Sequence, residues 1–129
     1  EVNMSFSNYL ETKILEHAFG ETAYTMPTTH FVALYTAAPG EAGGGTELSG
    51  DAYARQSAAF TVSGNTATNS ANIEFPAATG NWGTVTHAAI FDASTGGNML
   101  AYATLTSSKV VETGDILRFS ASQLDITLD

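Results

Sequence analysis

Residues 81–105, NWGTVTHAAIFDASTGGNMLAYATL, decide the fold class. Two apolar runs, 84–91 and 98–105, flank DASTGG at 92–97. Neither run contains proline, and Gly96 and Gly97 can take the positive φ angles that a chain reversal requires. The stretch predicts a β-hairpin at the centre of the molecule, with the other segments built against it.

Downstream, residues 109–112 (KVVE) and 116–121 (ILRFSA) flank a Thr113-Gly114-Asp115 turn and predict a second, short hairpin. The last segment alternates cleanly. Leu124, Ile126 and Leu128 fall on one parity and Asp125, Thr127 and Asp129 on the other, the pattern of a half-buried strand. Upstream, residues 30–36 (HFVALYT) are apolar on both parities and predict a strand covered on both faces. Residues 53–62 (YARQSAAFTV) and 66–75 (TATNSANIEF) predict a strand and its return partner around Ser63-Gly64-Asn65, the second stopped by Pro76. The main loop is 39–51 (PGEAGGGTELSGD), aperiodic and rich in glycine. Ordering it costs on the order of 1 to 2 kcal/mol per fixed residue, so packing against a neighbouring subunit is expected to hold it. Glu41, Glu47 and Leu48 are its candidates for reaching that neighbour.

One segment reads as a helix, residues 7–19. Phe6, Leu10, Ile14 and Ala18 recur at a four-residue spacing and Leu15 widens the stripe, while Asn8 with Glu11 three residues on, or Ser7 just before, offers a cap and Gly20 follows the last turn. So short a helix is marginal alone, and its Phe6, Leu10 and Ile14 face is expected to dock on the sheet or on another subunit. Residues 1–6 are expected to form an N-terminal arm, with Phe6 a candidate intersubunit contact. Glu1-Val2-Asn3 ahead of Met4 reads as an upstream extension. The chain is therefore expected to be mainly β, an antiparallel β-sandwich or barrel with one N-terminal amphipathic helix. A single β-rich domain over 1–129 would comprise the arm (1–6), the helix (7–19) and the sandwich (30–128).

The 129 residues carry 13 acids against 4 bases, a net charge of −9. Lys13, Arg55, Lys109 and Arg118 are scattered, which removes the basic footprint that nucleic acid requires. No apolar run approaches the roughly 20 residues of a membrane span, and the first residues lack the pattern of a leader, so a soluble protein made in a cytoplasm is expected. Without cysteine there is no disulfide or thiolate site. Charged residues make up 13% of the chain, about half the usual share, which suits a subunit packed against neighbours.

No constellation calls for a reaction. G-x-S-x-G, H-x-x-x-H, D-x-D-x-D-G and G-x-x-x-x-G-K are all absent, so no catalytic residue, metal ligand or cofactor is expected. His87 shares its strand parity with Val85, Ala89 and Phe91 and reads as a core or interface histidine. Trp82 reads as a cap on the core. In an alternative reading Trp82, Tyr53 and Tyr102 form a stacking platform for a glycan.

The opening MSFSNYLETKILEHAFGETAYTMP (4–27), FVALYTAAPGEAGGGTELSGDAYARQ (31–56), ATNSANIEFP (67–76), WGTVTHAAIFDASTGGNMLAY (82–102) and GDILRFSASQLDITLD (114–129) together resemble a small tail-fibre-like protein family of tailed bacteriophages. YARQ at 53–56, ATNSANIEFP and the hairpin are the most specific parts. The resemblance implies a β-rich virion structural protein with no enzymatic activity, assembled in the host cytoplasm. Expected roles are a capsid decoration (cement) protein or a closely related fibre-like surface subunit that stabilises the particle. Its partners would be the major capsid or tail protein and copies of itself, with no nucleic acid and no membrane. The alternative is a tail-fibre-associated module that binds a host-surface carbohydrate.

Overall fold

The computed structural model describes residues 2–128. Its elements are β1 (Val2–Phe6), α1 (Asn8–Phe19), β2 (His30–Ala37), β3 (Thr46–Glu47), β4 (Gln56–Ala58), β5 (Phe60–Ser63), β6 (Thr66–Asn69), β7 (Ile73–Glu74), β8 (Gly83–Phe91), β9 (Met99–Val111), β10 (Arg118–Phe119) and β11 (Leu124–Thr127). The fold is mainly β with one N-terminal helix, as its patterns predict. The main sheet runs β3-β2-β8-β9-β1-β11-β6-β5, with β4 also on β2, and β7 and β10 form a separate ribbon.

The central hairpin is β8 and β9, paired antiparallel with Ala88 opposite Ala103 and Ile90 opposite Ala101. Its turn is tied by Asp92, whose carboxylate accepts from the Asn98 backbone N–H at 2.7 Å and from Asn98 Nδ2 at 3.0 Å. Gly97 sits at φ 73°, where an added Cβ would fall 2.6 Å from Asp92 Oδ1. Only glycine fits there.

Several expectations about the strands are corrected. Residues 109–112 form no hairpin with 116–121. After an irregularity near Thr86, Lys109, Val110 and Val111 continue β9 and pair with Val85, Thr84 and Gly83, while Arg118 and Phe119 pair with Glu74 and Ile73. Residues 53–62 are not one strand but β4 on β2 and β5 on β6, and the return segment 66–75 likewise divides into β6 and β7. The irregularity near Thr86 also breaks the parity drawn for His87: Val85 packs in the main core, whereas Ala89 and Phe91 pack on the opposite face.

The largest departure is at the N-terminus. Residues 2–6, expected as an arm, form a strand inside the sheet. Val2, Asn3 and Met4 pair parallel with Leu124, Asp125 and Ile126, and Ser5 and Phe6 pair antiparallel with Tyr102 and Ala101. Val2 and Met4 are buried. β1/β11 is the parallel pair in an otherwise antiparallel main sheet. β1 thereby joins the β8/β9 half to the β11-β6-β5 half.

Of the two candidate caps of α1, Ser7 is the one used, and Asn8 is the first helical residue. Ser7 Oγ accepts from the Leu10 N–H at 3.2 Å and donates to the Met99 carbonyl, and Ser7 is buried. The expected docking stripe does not hold, since Phe6 belongs to β1 and no helix residue is fully buried. Tyr9 and Leu10 touch the core, whereas Leu15 and Phe19 face outward, Phe19 at 86% exposure. The final strand keeps its expected alternation only at its start: Leu124 is buried, Asp125 and Ile126 are both half-buried, and Leu128, past the end of β11, is exposed because the sheet no longer covers it.

Candidate functional site

Two features stand out: a buried charge cluster that locks loops together, and an apolar groove left open beside the sheet edge.

The cluster grows from YARQ. Residues 54–55 lead into β4, which aims Arg55 back across the face of the sheet. Its guanidinium makes two bonds to Glu47, Nε to Oε2 and Nη2 to Oε1, each at 2.9 Å. Nη1 donates to the carbonyls of Ala93 at 2.9 Å and Gly96 at 2.8 Å in the hairpin turn. The group lies 3.7 Å from the centre of the Phe91 ring, and only 7% of the Arg55 side chain is exposed. Arg55 therefore fastens the glycine-rich loop to the central hairpin through a planar, bidentate pair of the kind lysine cannot make.

Tyr53 completes the cluster. Its hydroxyl donates to Glu47 Oε2 at 2.7 Å and accepts the Leu34 N–H at 3.0 Å, while the Leu48 N–H reaches the Leu34 carbonyl at 3.0 Å. Both backbone groups of Leu34 are thus satisfied on the side of β2 where β4 has ended and β3 has not begun. Burial first, then the bond to Glu47, pushes the Tyr53 phenol far above the usual range. Burial alone would raise the Glu47 carboxyl, but hydrogen bonds from Arg55 and Tyr53 and the charge of Arg55 outweigh it and hold it below the usual carboxylate value.

The residues singled out from sequence fall as follows. Glu47 and Leu48 are turned into the chain's own fold. Glu41 is exposed, and its carbonyl accepts the Asn8 N–H at 2.9 Å, pinning the loop to the start of α1. Its side chain borders a cleft of about 380 Å³ shared with Tyr9, Tyr35 and Asn98. The loop that was expected to need a neighbour to order it is held within the chain, because Glu41, Glu47 and Leu48 each find a partner there. Phe6 is half-buried in β1, opposite Ala101.

Trp82 is buried, donates Nε1–H to the Asp51 carbonyl at 2.9 Å, and meets Tyr53 edge-on at 5.7 Å. Tyr53 in turn stacks on Phe75 at 6.2 Å. These two rings are core, and Tyr102 packs with the separate cluster of Tyr35, Phe91 and Met99. The glycan platform is therefore not assembled: two of its rings are spent on packing and the third lies in a different cluster. His17, His30 and His87 also stand apart, with contacts to the Tyr24 N–H, the Phe60 ring and the Thr86 hydroxyl respectively.

The groove was not read from sequence. It measures about 380 Å³ and is lined by Leu10, Met26, Phe60, Val62, Leu100 and Ile126 among others. Its floor follows from register: Ile126, Ala67 and Val62 lie opposite one another across β11, β6 and β5, in line with the core residue Met4 on β1. Burial declines along that row to Val62, 72% exposed. Met26, on the segment after the helix, is 76% exposed.

The structure thus presents a mainly β framework, a charged cluster that holds the chain's own loops, and apolar surface open at one flank, where contacts are made. The family model described as "Podophage GP4 fiber I protein gp80" matches residues 5–127, and the chain belongs to that family. It is a phage fibre protein, a structural component of the virion. A search of curated proteins finds no match.

Proposed function

We propose that the protein is a surface subunit that stabilises the particle by packing against other virion proteins and copies of itself, without catalysis. The observation that carries this reading is the exposed apolar surface around the groove, with Met26 and Val62 each more than two-thirds exposed in an acidic chain. Contiguous apolar surface of this kind marks contact sites. The fibre description of the family favours the tail over the capsid shell as its position.

The test is to label the protein on purified particles with an antibody to an epitope tag on the exposed hairpin turn, and to image particles lacking it. Label on the tail fibres and loss of fibre integrity in the deletion are expected. Label spread over the shell would return the protein to the decoration role, and particles with neither label nor defect would refute the reading.

A further inference from the structure

The main sheet has two ends, and they differ. At one end, β3 is two residues long and carries Glu47, already paired with Arg55. At the other, β5 presents a four-residue edge, Phe60-Thr61-Val62-Ser63, with no charge, no proline and no bulge. The chain is free of acidic and basic side chains from 56 to 73, although its net charge is −9. This one flank can meet its own copy without like-charge repulsion.

The register tells which groups are available. β5 and β6 close on a two-residue loop, Gly64-Asn65, with Ser63 opposite Thr66 and Gly64 at φ 59°. In such a hairpin the pair flanking the loop exchanges hydrogen bonds, and bonded pairs then alternate. Thr61 and Ser63 therefore point their backbone groups at β6. Phe60 and Val62 point theirs outward, and among the described residues no hydrogen bond is seen on that side.

We propose that two copies of the chain pair through β5, antiparallel about a twofold axis at Thr61, joining their main sheets into one. In this register Phe60 of each copy lies opposite Val62 of the other, so the four outward N–H and C=O groups of each strand segment are satisfied reciprocally. A twofold axis normal to the sheet keeps the faces in register. The partner's Phe60 then covers the exposed Val62 and closes the open side of the groove. Three paired residues are a small contact against the roughly 1,600 Å² of a standard interface, so the flanking apolar surface around Met26 and Pro27 must contribute. The inference rests on the self-association part of the proposed function and adds the surface that performs it.

The chain has no cysteine, which makes the test clean. Thr61 would face its own copy as a non-hydrogen-bonded pair with Cα atoms about 4.5 Å apart, within disulfide reach. The purified Thr61→Cys variant under mild oxidation is expected to form a covalent dimer at least about tenfold faster than Thr95→Cys at the exposed hairpin turn, because pairing raises the local thiol concentration. Val62→Lys should keep the wild-type circular dichroism and melting temperature, yet weaken dimerisation in sedimentation by at least about tenfold, since an edge lysine opposes strand addition. A wild-type chain that sediments as a monomer, or an oligomer in which Thr61→Cys shows no advantage over Thr95→Cys, overturns the pairing. So does a wild-type monomer that binds a different virion protein in a Val62-dependent way. Failure here leaves the particle-labelling result standing, and failure of the labelling leaves the cross-link standing.

Discussion

Replacing Arg55 with alanine tests whether the buried cluster organises the fold. The substitution strands the Glu47 carboxylate, removes the donors to the Ala93 and Gly96 carbonyls, and uncovers the Phe91 ring. Breaking one side of a buried ion pair costs about 3 to 5 kcal/mol. The Glu47 side chain is 25% exposed and regains some water, which lowers the estimate to about 3 kcal/mol. For a chain of this size that corresponds to a fall in melting temperature of about 10 °C.

Urea unfolding at neutral pH measures the loss, and Glu47→Ala with the double variant gives the coupling. We expect the double variant to cost clearly less than the sum, because neither partner is then left charged and alone. The pH dependence carries the sign. Glu47 is held below its ordinary 4.5, so its contribution is complete above that value and disappears as pH falls through the lower folded value. Wild type should therefore lose stability in acid more steeply than Arg55→Ala, and the gap between them should shrink. A cost below about 1 kcal/mol, the behaviour of a surface ion pair, would refute the reasoning.

Asn69→Asp should cost about 2 to 4 kcal/mol in the same unfolding assay. The buried amide donates to Ala71 and Ser120 carbonyls at 2.9 Å each and accepts the Leu124 N–H, and a carboxylate cannot donate. Ala52→Gly should raise stability by up to about 1 kcal/mol, the reverse of the usual effect, because Ala52 sits at φ 70°; a loss in the denaturation midpoint would contradict this. Trp82→Ala should lower stability by about 3 to 5 kcal/mol, measured by thermal unfolding, and leave the variant with the same glycan-array profile as wild type.

Local patterns carried far where neighbours in sequence are also neighbours in space. The hairpin of β8 and β9, the Ser7 cap and the 63–65 turn are legible because glycine conformations and capping oxygens act over a few residues. Patterns misled where a strand's partner is remote. Residues 53–62 look continuous, yet β4 and β5 serve different edges, and nothing within the run announces the switch at Ala59. Val85 was placed on the wrong face, beside His87, Ala89 and Phe91, because one irregularity in a ladder reverses the parity of what precedes it. The Arg55 cluster left one trace, a lone arginine near an acidic loop, but its partners at 47, 53, 91, 93 and 96 meet only in the folded chain.

The sequence by itself determined a mainly β fold with one helix at its start, the hairpin at its centre, and, through its motifs, a place among phage virion proteins. Those properties rest on side-chain periodicity, turn chemistry and motif identity, which are local. Tertiary structure alone decided that residues 2–6 form a strand inside the sheet, that Trp82 and Tyr53 are core rings, and that β5 ends the sheet beside an open groove. Each of these depends on which distant segment supplies a hydrogen-bonding or packing partner: Val2 is buried because Leu124 lies beside it, and Val62 is exposed because no strand follows β5 at the end of the sheet.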